Sequence, residues 1–179
     1  MYPFFRMTKE LYVSRNADPL PFTGTHVSHH RCWPWDLDLW LELNNGRTLT
    51  LFDLGRIPLA RRVGLITALR KNGWGLTMAG VSVRYRQRVR VMDKVEIHSR
   101  AVGWDDRFIY IDQTMWKRGE CTSQALYRTA VTSKDGIVTP IRVMETIGDV
   151  VESPALPAWV KNWIDADATR PWPPERTAD

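Results

Sequence analysis

The chain has 179 residues, 44% of them hydrophobic and 25% charged, with a formal net charge of +5 at pH 7. That length and balance fit one compact domain with a sizeable core rather than a low-complexity chain. The basic excess suits an anionic partner, whether nucleic acid, an acidic membrane surface or a phosphate-bearing small molecule, and does not choose among them.

Lys9, Glu10 and Arg15 interrupt the N-terminal apolar residues before they form a signal or a span, and no later stretch is long enough to cross a membrane. Cys32 and Cys121 lie far apart with no CxxC pair, so neither a zinc site nor a disulfide framework is expected, and a cytoplasmic location fits best. Turn formers fill positions 19–24, and a strand is predicted over 25–33. Pro34 interrupts it, and Trp35, Asp36, Leu37 and Asp38 open a loop ending at Asn44, Asn45 and Gly46, which are able to cap a helix.

From 45 to 63 the apolar residues, among them Leu49, Phe52, Leu54, Ile57 and Ala60, spread over most of the circumference at about 100° per residue, so this helix wants to be enclosed. Gly64 supplies its stop, and Pro58 predicts a kink or a shortening. After Gly73 the period becomes two: Val81, Val83, Tyr85, Val89 and Val91 alternate with Arg84, Arg86, Arg88 and Arg90, as in a half-exposed strand or a pair. Val95, Ile97 and Ala101 continue the alternation to a turn at Gly103, Trp104, Asp105 and Asp106. Further strands are predicted over 108–116 and 123–133.

A Pro-rich link then leads to residues 158–167, where Trp159, Val160, Trp163 and Ile164 share a helical face. The expected division is a domain over 1–140 with an N-terminal extension over 1–22, a helical extension over 141–169 and a flexible tail over 170–179. The class is α+β, an antiparallel sheet wrapped against one helix.

The run from Asp36 through Asp38 and Glu42 to Asn44, Asn45 and Arg47 resembles the loop-to-helix passage of 4-hydroxybenzoyl-CoA thioesterase-like proteins. The resemblance is closer to the thioesterase superfamily member six-like branch, through the Asn-Asn-x-Arg helix start, the turn at Gly103 to Arg107 and the tail from Leu156-Pro157 to Trp163-Ile164. It implies a hotdog fold, a homodimer or dimer of dimers with the site between subunits, and hydrolysis of an acyl-CoA thioester to a free acid and thiol. Coenzyme A is then part of the substrate, and no cofactor, metal or nucleic acid is expected.

Thioester hydrolysis needs a carboxylate or an activated water at the carbonyl carbon and donors for the oxyanion. Asp38 matches the family's catalytic aspartate, as nucleophile or as general base, with Asp36 its rival. The main-chain N–H of Asn45, at the positive end of the helix dipole, takes the oxyanion role. Substrate contacts are expected from Asn44, Glu42, Arg84, Arg86 and Arg107. Glu42 stands where many relatives carry histidine, and Asp105 and Asp106 stand where a relative has a basic cluster for the CoA phosphates. Those two departures motivate the competing reading, a non-catalytic acyl- or lipid-binding protein. Asp53 and Arg56 are read as a structural ion pair on the central helix.

Overall fold

The computed structural model describes residues 2–176. In chain order the elements are α1 (Phe4–Val13), β1 (His26–Arg31), α2 (Asn45–Arg62), α3 (Leu65–Asn72), β2 (Gly75–Tyr85), β3 (Lys94–Trp104), β4 (Ile109–Lys117), β5 (Glu120–Ser133), β6 (Gly136–Val138), α4 (Pro140–Ile147) and α5 (Ala158–Ala168). The sheet runs β1-β3-β4-β5-β2, antiparallel throughout, with β6 paired to β5. It curls around α2, the expected α+β hotdog architecture.

The central helix begins where Asn44 caps it: the side-chain oxygen accepts from the Gly46 and Arg47 amides at 2.9 and 3.1 Å. Its apolar residues are enclosed, with Leu51, Phe52 and Leu54 fully buried, so the spread of apolar positions correctly marks a helix surrounded by protein. The helix runs on through Pro58, which removes one N–H from the ladder without breaking it, because burial of Pro58 and Leu59 holds the turn in place. Gly64, at φ 80°, then terminates it in the left-handed conformation.

Alternation along β3 sorts the faces: Val95, Ile97 and Ser99 are buried toward α2, while Lys94, Glu96 and His98 point outward. On the outer face, Val160 of α5 packs with Val102, Tyr110 and Leu126, and Arg128 pairs with Asp167 at 2.5 Å.

Several expectations need correction. The N-terminal extension contains α1, and α3 fills the interval between Gly64 and Gly73 that the pattern left unassigned. The alternating run 81–91 is not one strand: β2 ends at Tyr85, and the Arg86 and Gln87 amides both turn onto the Thr122 carbonyl. Gly103 does not open a turn. It lies in an irregularity of β3 at φ 150°, where a Cβ would sit 2.6 Å from Leu156 Cδ2, so glycine there lets the C-terminal segment approach. The turn itself is built at Asp105, whose carboxylate accepts from the Arg107 and Phe108 amides and the Tyr110 hydroxyl. The tail expected over 170–179 lies outside the described residues at 177–179.

Gly55 is the closest approach of α2 to the sheet: a Cβ would meet Ser99 Oγ at 2.6 Å and Ile97 Cγ2 at 3.0 Å. Ser99 Oγ cannot swing aside freely, since it accepts from Gln113 Nε2 at 2.6 Å. Helix propensity favours alanine by about 1 kcal/mol, but overpacking costs about 1–3 kcal/mol. Gly55→Ala is therefore expected to lose up to about 2 kcal/mol in urea denaturation; greater stability than the wild type would show that the sheet yields.

His26 and His30 face the interior of β1. Burial, with the Arg62 cation, lowers His26 to about 4, and burial, with Arg6 and then other nearby cations, lowers His30 to about 3. A folded pKa below the unfolded one means that the unfolded chain takes up the proton first as pH falls. Stability is thus full above about pH 6.5 and declines toward pH 3–4. Urea titrations of wild type and His30→Gln should converge as pH drops through that window; parallel curves would contradict this assignment.

Candidate active site

The segment between β1 and α2 is fixed by one buried carboxylate. Asp36 has no solvent exposure and accepts from Arg6 Nη1 at 2.8 and 3.1 Å, from Arg47 Nη2 at 2.8 Å and Nε at 3.2 Å, and from the Trp33 amide at 3.0 Å. Its carbonyl accepts from the Asn44 N–H at 2.9 Å, so Asp36 sets where α2 starts. Residues 38–42 project beyond it as a tight loop: Leu37 bridges Leu43, and the Asp38 amide donates to the Glu42 carbonyl at 2.8 Å.

Asp38 is half-buried at the base of this loop. Its Oδ1 accepts from the Trp40 and Glu42 amides at 2.9 and 3.3 Å, while Oδ2 makes no hydrogen bond among the described residues. At the loop tip Leu39, Trp40 and Leu41 are exposed by 93%, 77% and 71%, which makes this the largest run of uncovered apolar side chains near α2.

The N-terminus of α2 opens onto a cavity of about 200 Å³ whose walls include Glu42, Asn45, Tyr85, Arg86 and Arg88. The structure thus brings together Glu42, Asn45 and Arg86 and adds Arg88, whose Nε lies 3.0 Å from the Glu42 carboxylate. The Tyr85 hydroxyl donates to the Asn45 carbonyl at 3.3 Å. Asp38 adjoins this cavity through its hydrogen bonds with Glu42 and does not line it. Asn44 is spent on capping. Arg84 lies apart, in a depression beside Trp159, and Arg107 sits at the β3–β4 turn. From Ser123 in the cavity wall to Thr129, opposite Ile109, β5 alone covers roughly 20 Å. Arg107 therefore cannot share a ligand phosphate with Arg86 at close range.

Among the first amides of α2, Gly46 and Arg47 donate to the Asn44 side chain and Thr48 to the Asn44 carbonyl. The Asn45 N–H has no acceptor among the described residues. A helix terminus concentrates partial positive charge on such unpaired amides, and Asn45 borders the cavity.

Sequence reasoning passed over a second polar cluster. Asp53 and Arg56 pair as expected, but Arg56 also donates to Gln113 Oε1 at 3.0 Å and stacks over Tyr127 at 4.0 Å, all against a cavity of about 370 Å³ beside Met78 and Val81 of β2. Burial pushes the Asp53 carboxyl up, and Arg56 draws it back down. The signal available beforehand was an acidic residue on a helix otherwise wanting enclosure.

The sequence model of the Thioesterase-like superfamily matches residues 32–164. The chain belongs to this superfamily. Protein THEM6 of Xenopus laevis is 31% identical over 134 residues, which cover 73% of this chain and 63% of that one. Protein THEM6 of Drosophila melanogaster is 27% identical over 147 residues, covering 80% and 74%. The chain spans less than two thirds of the length of the Xenopus relative. Among solved structures, the assigned oleoyl thioesterase of Lactobacillus plantarum superposes with a TM-score of 0.66 at 16% identity, over 87% of this chain and 58% of that one. A 1,4-dihydroxy-2-naphthoyl-CoA thioesterase from Synechocystis gives 0.60 at 9% identity, over 69% and 95%. Among the described residues of this thioesterase-like chain, no helix is long and apolar enough to cross a membrane, and both cysteines are free thiols.

The ion pairs of Asp36 separate it from its neighbour experimentally. Removing it leaves two cations, at 16% and 19% side-chain exposure, without their carboxylate. Asp36→Ala is expected to lose about 3 kcal/mol in denaturant unfolding, and Asp38→Ala under about 1 kcal/mol. Equal losses would refute the division of roles.

Proposed function

We propose that the protein hydrolyses acyl-CoA thioesters to a free acid and thiol. The thioester carbonyl sits over the start of α2, where the Asn45 N–H stabilises the developing oxyanion and Asp38 supplies the carboxylate, either attacking the carbonyl carbon or drawing a proton from water. The observation that carries this reading is Asn45, whose amide has no acceptor among the described residues, bordering a cavity whose walls include Glu42, Arg86 and Arg88. Membership of the thioesterase-like superfamily supports thioester hydrolysis in general, and its structural neighbours include proteins that act on CoA thioesters.

A homodimer belongs to this reading. The outer edge of β2 has no strand partner among the described residues, and Met78, Val81 and Tyr85 are exposed along it. An unprotected edge of this length favours pairing with a second copy. Such pairing would place a second chain beside both the α2 cavity and the Asp53 cavity, each of which β2 helps to wall.

Asn45→Pro tests the oxyanion role on its own. Proline suits the first helical position, and Asn44 at φ −59°, ψ 139° accepts a following proline, so the helix start survives while its unpaired N–H disappears. Thiol release from a panel of acyl-CoA esters should fall by about 100-fold or more in this variant and similarly in Asp38→Ala. Background release from the wild type would favour a non-catalytic acyl-binding protein. Loss in Asp53→Asn with Asp38→Ala unaffected would move the chemistry to the helix carboxylate.

A further inference from the structure

A cleft of about 1180 Å³ lies outside the α2 cavity, lined by residues of α1, β1, β3, β4 and the turn after β4. Ligand pockets commonly occupy about 300–1,000 Å³, so it has room for a small molecule. Its walls carry Arg31, Lys94 and Arg118, none of which has a salt-bridge partner among the described residues. Arg118 acts on the Asp93 carboxylate, which Lys117 already holds at 3.2 Å. The carboxylates in the cleft are engaged: Glu10 lies 3.2 Å from Lys9, and Glu96 is bound by His29 at 3.0 Å and by His98. The indoles of Trp33 and Trp116 complete the lining, Trp33 stacked on Trp35 with ring centroids 5.3 Å apart.

Unpaired cations beside flat aromatic faces are suited to a ligand that joins phosphates to a planar ring. The cleft also neighbours the α2 cavity. Lys117 Nζ donates at 2.6 Å to the carbonyl of Arg88, a wall of that cavity, and pairs with Asp93 next to Lys94, a wall of the cleft. Lys117 thus forms a ridge that touches a wall of one site and the neighbour of a wall of the other, a gap that a flexible arm can cross.

We propose that this cleft holds the nucleotide end of coenzyme A, the adenosine 3′,5′-bisphosphate, while the pantetheine arm crosses the ridge to the α2 cavity. This assignment rests on the thioesterase reading above. It replaces the Asp105–Arg107 turn, where the acidic pair would repel phosphate, and it needs neither Arg84 nor Arg107.

Calorimetric titration tests it without any turnover. Wild type should bind coenzyme A and adenosine 3′,5′-bisphosphate, and the double variant Lys94→Ala/Arg118→Ala, both at exposed positions, should weaken both by about tenfold or more. Trp116→Leu should weaken them as well, while pantetheine, which lacks the nucleotide, should bind wild type and variants alike. Equal coenzyme A affinity in the double variant would overturn the proposal, as would a wild type that binds pantetheine as tightly as coenzyme A. Displacement of the nucleotide by a single-stranded oligonucleotide at lower concentration than coenzyme A would overturn it in favour of nucleic acid. The ligands carry no thioester, so a protein that releases no thiol fails the hydrolase reading and leaves this binding result intact.

Discussion

Asp36 bears the geometry of the whole helix start. A carboxylate with no solvent exposure costs several kcal/mol in lost hydration unless strong partners replace the water. Here a guanidinium from α1, a second from the first turn of α2 and a backbone amide from the intervening loop supply them. Three segments far apart in sequence are thereby pinned to one point. Because the Asp36 carbonyl also receives the Asn44 amide, the direction of the first free N–H of α2 follows from the same constraint.

The sequence pattern exposed the parts of the fold that rest on burial. The apolar residues of 49–63 covered the circumference, and the helix that they form is enclosed even at Pro58. His29 and His30 fell on opposite faces of one strand, as alternation requires. Alternation failed after Tyr85 because a period of two reports extended backbone, not a ladder. Val89 is buried where its carbonyl accepts from the Leu43 amide of the loop, beside the isolated Glu42–Arg90 bridge and outside any named strand. The helices α1 and α3 escaped notice for a related reason: each is short, and each borrows its order from contacts with α2.

The candidate site was legible in a different way. Two aspartates two residues apart look alike in a sequence, and only the positions of Arg6 and Arg47 reveal that one of them is a buried structural anion. Arg86 and Arg88 likewise looked equivalent to Arg84, yet the chain leaves the sheet between them and carries the later pair to the α2 cavity. Periodicity cannot foresee that departure, since the bonds from the Arg86 and Gln87 amides to Thr122 are tertiary.

The two polar cavities share one wall, and that sharing constrains how either can work. Tyr85 and Arg86 border the cavity at the start of α2, while Met78 and Val81 border the one at Asp53, so both open along β2. Among the described residues the strand keeps a free edge. A surface that pairs with β2 would exclude water from both at once, strengthening every charge interaction within them. The Asp53 carboxyl, already raised by burial, would be pushed further toward its neutral form, leaving Arg56 as the main opposing influence. Asp38, at the base of the 38–42 loop, lines neither of these two cavities. Assembly along β2 therefore bears most directly on the helix carboxylate: it favours a neutral, positioned acid at Asp53, held against that tendency by Arg56.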